Sequence, residues 1–220
     1  MSNNLLIEFF FASWQTIYMV MVSGTIAALL GIPLGVVLLA TRKNNILENK
    51  YCNWLLAIIT NSVRSIPFII LLVAIIPLTR LLTGTSIGTT AAIVPLTIAA
   101  IPFVGRIVEA ALNEVAAGLV EAGLSMGAAP FQIIKKILIP EALPSIINGM
   151  TITLISLIGY SAMAGAVGGG GLGDLAIRYG YQRFNTPVMI ATVVILILLV
   201  QLVQLAGDGL AKRFSHGRLV

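Results

Sequence analysis

The run FFFASWQTIYMVMVSGTIAALLGIPLGVVLLAT, residues 9–41, holds no charged side chain. A helix that crosses a bilayer needs about 20 mostly apolar residues, and this run exceeds that length. Residues 65–79, 81–105, 142–173 and 184–207 are also uncharged. The run 65–79 is short alone. It reaches spanning length by extending back through the apolar residues 54–59, if Arg64 lies near the membrane edge or faces protein. The sequence thus predicts an all-α membrane protein with five transmembrane helices, near 16–40, 56–79, 86–105, 146–166 and 185–207. The first span is not read as a secretory signal. No Lys or Arg precedes it, Glu8 is its only early charge, and it is far longer than a signal-peptide core.

Composition agrees. Of 220 residues, 58% are hydrophobic and 10% charged, and the mean hydropathy is +1.03. A water-soluble domain carries roughly 45–50% apolar and about 25% charged residues. One His and one Cys give neither a Cys/His metal site nor a disulfide frame. His216 sits in a basic tail, so no Ser-His-Asp or Cys-His catalytic set is expected. The excess of 13 Lys and Arg over 8 Asp and Glu orients loops in a membrane protein and does not imply nucleic-acid binding.

Ten of those 13 cations are Arg42, Lys43, Lys50, Arg64, Arg106, Lys135, Lys136, Lys212, Arg213 and Arg218. They fall in the loop after the first span, at Arg64, in the loop between the third and fourth spans, and in the C-terminal tail. The other three are Arg80, Arg178 and Arg183. The positive-inside rule then places the N-terminus outside and the C-terminus in the cytoplasm.

Pro33, Pro67, Pro77, Pro95 and Pro102 interrupt hydrophobic stretches, and each is expected to bend its helix. Gly31 and Gly35 share a helix face, as Gly165 and Gly169 are expected to do. Small residues at that spacing permit close helix packing. The bends and small faces fit either a static bundle or one that rocks between two shapes. The run Gly168-Gly-Gly-Gly-Leu-Gly173 lacks the Lys of a phosphate loop and is followed by Asp174, whose carboxylate repels phosphate. It reads as a flexible turn at the outer end of the fourth span.

Residues 106–141 differ from the rest, with seven charges in a long connection. Helices in a bundle are usually joined by about 2–8 residues, and longer links are often functional. The pattern predicts a helix through Glu114 and a short helix over 119–126 that stops at Gly127. A third helix is expected to open at Pro130 and break at Pro140. Glu121 is expected near the start of the short helix, where it complements the dipole. An amphipathic helix lying on the inner leaflet, with Lys135 and Lys136 on anionic lipid, is the plainer alternative.

The order Glu121-Ala122-Gly123, Gly127, then Ile137-Leu138-Ile139-Pro140 resembles the EAA loop of bacterial ABC importer permeases. That pattern runs E-A-A, three residues, G, nine residues, I, any residue, L, P. Gly123 replaces the second Ala and Ile139 replaces Leu. The resemblance implies a coupling helix that docks on an ATPase, with Glu121, Ala122, Gly123, Gly127, Ile137 and Pro140 at the contact. Further stretches (RSIPFIILLV from Arg64, GTSIG from Gly84, AIVPLT from Ala92, PEALP from Pro140 and GYSAMAGAVGGGGLG from Gly159) are similar to methionine importer permeases across most of residues 12–207. Residues 208–220 then form a short basic cytoplasmic tail.

The resemblance implies a type I ABC transmembrane domain in the bacterial inner membrane. Two copies pair, two ATPases consume ATP with magnesium, and a methionine-binding lipoprotein delivers L- or D-methionine. The chain itself would carry no catalytic residue, cofactor or metal. No acidic residue lies deep in the spans, which argues against a proton-coupled carrier. A permease for another small solute, or a carrier working alone, stays as an alternative. In the fourth span Asn148, Thr151, Thr153, Ser156, Tyr160, Ser161 and Met163 supply polar or soft groups. Ser156, Tyr160 and Met163 are candidates for a path or gate; the alternative is interhelix packing.

Overall fold

The structure, a computed structural model, describes residues 3–43 and 45–215. His216 and Arg218 lie outside the described residues. Every regular element among those described is helical. Helix α1 is Asn3–Ala40 and α2 is Lys50–Ser65. They are followed by α3 (Phe68–Ala74), α4 (Ile76–Thr83), α5 (Thr89–Asn113), α6 (Ala117–Ser125) and α7 (Pro130–Ile133). A π turn, Ile134–Leu138, joins α7 to α8 (Ile139–Ala166). Then come α9 (Gly171–Leu175), a second π turn at Ala176–Tyr181 and α10 (Thr186–Ser215). Four stretches are long and apolar enough to cross a membrane: Leu5–Ala40, Thr89–Asn113, Pro130–Ala166 and Thr186–Ser215. The fifth expected span is a broken one, because α2 and α3 are bent by 102° across Ile66 and Pro67.

Several helices outrun the spans expected for them. Helix α1 has 38 residues, about 57 Å at 1.5 Å per residue, which exceeds a whole bilayer. It starts before Glu8, whose Oε1 accepts from the Tyr179 hydroxyl at 2.9 Å while Oε2 is buried without a hydrogen-bond partner among the described residues. Helix α5 carries on through Arg106 and Glu109, which bridge each other at 2.6 Å. Arg106 also donates to Asn61 Oδ1 at 2.9 Å, so its charge binds α2 rather than ending α5. Helix α10 continues past 207 to Ser215.

The prolines divide into two groups. Helices α1 and α5 run on through Pro33, Pro95 and Pro102. Pro67 sits at the sharp bend, and Pro77 lies in the first turn of α4, where its missing N–H costs nothing. The expected break at Pro140 is absent. The chain is helical from Pro130 to Ala166, and the π turn falls just before Pro140. A wider turn there gives the proline ring room that an α turn denies.

The core lies where α1 crosses α5. A Cβ built on Gly31 would come within 2.6 Å of Val104 Cβ, and one on Gly35 within 2.5 Å of the Gly105 carbonyl oxygen. Both glycines therefore serve the close approach that their spacing predicts. Around this crossing Met19, Leu96, Val104, Val108, Leu112 and Leu157 are buried.

The glycine run turns only between Ala166 and Gly171, where α8 ends and α9 begins, and it is anchored rather than flexible. Gly171 and Leu172 donate their N–H groups to Gln15 Oε1 and Thr16 Oγ1, each at 2.9 Å. Gly171, Leu172 and Gly173 are buried. Helix α8 ends at Ala166, so Gly165 and Gly169 do not share a helix face. Gly165 instead admits α9: its Cβ would lie 2.3 Å from the Asp174 nitrogen. Gly173 admits α8 in return, with a Cβ 2.3 Å from the Ala162 carbonyl oxygen.

Candidate coupling surface and path

Helix α6 is closed by its own backbone. Gly127 has φ +79°, a conformation that glycine adopts without Cβ strain. Its N–H bonds the Leu124 carbonyl at 2.9 Å, and the Ala128 N–H bonds the Gly123 carbonyl at 3.0 Å. This pair of bonds is a Schellman cap, which satisfies the last carbonyls of a helix and reverses the chain. No atom lies within 4 Å of a Cβ built on Gly127. The glycine therefore serves the turn and not a close contact.

Gly123 does the opposite job. It is the one buried residue of α6, and a Cβ there would meet Ile137 Cδ1 at 2.8 Å and Ile133 Cγ1 at 3.6 Å. So the short helix is seated on the α7–π-turn segment along the edge that carries Gly123. Behind it lies a cleft of about 530 Å³, lined by Leu39, Ile46, Leu112, Val120, Glu121 and Leu138 among others. The outward side is apolar. Leu119 and Leu124 are exposed, as are Met126 at 87% and Phe131 at 71%. Burying such side chains against a partner is favourable at roughly 25 cal/mol per Å². Exposed apolar patches of this kind mark interaction sites.

The expected loop residues thus come together, with two adjustments. Glu121 lies past the first turn, since α6 begins at Ala117, so it does not complement the start of the helix dipole. Its exposed side chain borders the cleft instead. Pro140 is exposed and lies inside a continuous helix. Ile137 fills the seat beside Gly123, and Ala122 is exposed. The loop is tied to the long helices at its root. Ser145 Oγ on α8 donates to Glu114 Oε2 at 3.0 Å, and Arg42 donates to Asn113 Oδ1 at 3.3 Å.

In α8, Ser156, Tyr160 and Met163 fall on one face, four and three residues apart. Ser156 Oγ is bonded to the Ile152 carbonyl of its own helix at 2.9 Å. Tyr160 stacks on Phe68, with centroids 4.7 Å apart and planes 8° from parallel. Met163 is 48% exposed. Tyr160 also lines a cavity of about 160 Å³ shared with Arg64, Ile66, Phe68, Ala99 and Phe103. Sequence reasoning did not reach this group. The available signal was a lone Arg two residues before an X-Pro helix break.

The described residues thus form a helical bundle with one span broken at proline and a short helix whose outward side is apolar. Comparison with known proteins gives the class. Residues 27–216 match the binding-protein-dependent transport system inner membrane component family. The chain is 60% identical over 205 residues to the probable D-methionine transport system permease protein MetI of Vibrio cholerae, covering 93% of this chain and 91% of that one. It is 52% identical over 202 residues to the protein of the same description from Pasteurella multocida, covering 92% and 93%. Its fold matches the MetNI methionine ABC transporter in inward-facing conformations with a TM-score of 0.96. That match has 50% identity and covers 97% of this chain and 99% of that chain. The chain belongs to the binding-protein-dependent transport system inner membrane components, and its fold is that of a type I ABC importer permease. It is a transporter subunit and not an enzyme.

Proposed function

We propose that this chain is the membrane-spanning permease of an ATP-driven importer of L- and D-methionine in the bacterial inner membrane. The observation that carries the reading is the 60% identity, over nearly the whole chain, to a protein described as a D-methionine transport permease. Residues 12–207 form the transport domain and 208–220 the short cytoplasmic tail. Two copies pair around the path, each docks one ATPase, and a methionine-binding lipoprotein delivers substrate outside. ATP and magnesium belong to the ATPase; the permease binds no cofactor.

The mechanism follows from how α6 is held. The ATPase receives Leu119, Leu124, Met126 and Phe131, with Glu121, Ala122, Gly123, Gly127, Ile137 and Pro140 at or beneath the contact. A push on α6 passes through Ile137 into the π turn and α8, and through the loop root into α5. Coupling of this kind needs packed elements with two arrangements. The cleft behind α6 leaves space for the second one. Ser156, Tyr160 and Met163 face the path from α8.

The test is uptake of labelled L- and D-methionine into vesicles holding the permease, its ATPase and the binding protein. ATP-dependent uptake of methionine in preference to other amino acids is expected; uptake driven by an ion gradient without ATP would refute the reading. Orientation is tested through Cys52, the chain's only cysteine, placed on the cytoplasmic side. A membrane-impermeant maleimide is expected to spare it in intact cells. Labelling there would reverse the topology.

A further inference from the structure

The cavity at the α2–α3 break is lined by an exposed cation, Arg64. Arg64 makes neither an ion pair nor a hydrogen bond among the described residues. Its guanidinium sits 5.9 Å from the Phe103 ring centroid. Arg64 is exposed beside the break of the second span, and ionisable side chains of membrane helices characteristically face protein or a water-filled cavity. Three kinds of group converge on the same 160 Å³. Arg64 offers a fork of donors that matches a carboxylate. Phe68, Phe103 and Tyr160 offer aromatic surface, which favours aliphatic and thioether side chains. The Tyr160 hydroxyl also makes no hydrogen bond among the described residues.

The break adds acceptors. Ile66 turns its N–H to the Val63 carbonyl at 3.3 Å, and Pro67 has no N–H to give. The Val63 carbonyl is thereby met, while the carbonyls of Arg64 and Ser65 lose the donors that would follow in an unbroken helix. Unwound carbonyls in a discontinuous membrane helix are suited to a cation. The volume equals about five waters at roughly 30 Å³ each, the scale of one amino acid.

We infer that this cavity is a transit site for a zwitterionic amino acid with an apolar or thioether side chain. Arg64 takes the carboxylate. The end of α2 and the Tyr160 hydroxyl take the ammonium, and Phe68 and Phe103 take the side chain. The site deepens the importer reading and rests on it. It also gives Tyr160 a role distinct from that of Met163, which lies on the same helix face outside the cavity.

The experiment uses the purified permease–ATPase complex without binding protein, and the ATPase alone as a control. Equilibrium dialysis measures bound radiolabelled methionine. The parent complex is expected to bind methionine above the ATPase control. Methioninol, which lacks the carboxylate, is expected to compete about tenfold or more weakly. Arg64→Gln should lose binding by a similar factor, and Arg64→Lys should keep part of it. Both variants are expected to retain the ATPase on pull-down. Competition by methioninol equal to that of methionine overturns the site without any variant, as does parent-like binding by a folded Arg64→Gln complex. Absence of binding above the control in the parent also overturns it. If parent vesicles take up no methionine, the proposed function fails instead.

Discussion

Two glycine-dependent turns sit in different parts of this chain and work for opposite reasons. Gly127, after α6, has a left-handed backbone and open space around it. Gly165 and Gly173, where α8 meets α9, are buried, and each would drive a Cβ into backbone at 2.3 Å. The first turn shapes a helix that is presented outward. The second locks the end of a bundle, with Gln15 and Thr16 of α1 holding the N–H groups of α9. Glycine at a turn is thus a local conformational device in one place and a packing device in the other. Substitutions separate the two.

The largest effect is expected at the packed end. Gly173→Leu forces α8 and α9 apart, and overpacking costs about 1–3 kcal/mol or more. Loss of monodisperse protein after detergent extraction is the expected result. A Gly173→Leu protein with parent-like thermal stability would mean that the two turns do not differ in kind.

At the exposed turn the fold should survive and docking should not. Gly127→Val puts a β-branched residue at positive φ, a strain of about 1–3 kcal/mol confined to the loop. Normal insertion with weak ATPase pull-down is the expected phenotype. Gly127→Asn should be nearly silent, because Asn tolerates the left-handed region. Equal defects in the Asn and Val variants would point to a need for space instead of conformation.

Confined to the melting temperature is Thr16→Val, which leaves the buried Leu172 N–H without its acceptor. The cost of such an orphaned group is about 1–3 kcal/mol. A fall in melting temperature is expected, with ATPase binding unchanged; a docking defect would join the two regions that are here held separate.

How much of this was legible in the sequence depends on the distance between partners. The charge-free runs located the long helices, because length and apolarity are local properties. The spacing from Glu121 to Pro140 located a capped short helix and its seat, since all of these come from one short stretch. The early start of α1 was hidden, because the hydrogen-bond partner of Glu8, Tyr179, is far away in the chain. The glycine run looked flexible because its anchors are on α1. The prolines looked alike, although only Pro67 coincides with a sharp bend while Pro140 follows a π turn. The Arg64 cavity draws on α2, α3, α5 and α8, and no local pattern announces it.

In the proposed function the ATPase docks on the apolar outward side of α6. Met126 is the most exposed residue of this side, and Met126→Cys in a Cys52→Ser background offers one reporter thiol. In native membranes holding the whole transporter, a short bifunctional cross-linker should join this position to the ATPase. The yield should fall when Gly127→Val is added. Efficient cross-linking to the ATPase from a control cysteine at Phe184, with none from Met126→Cys, would contradict the account.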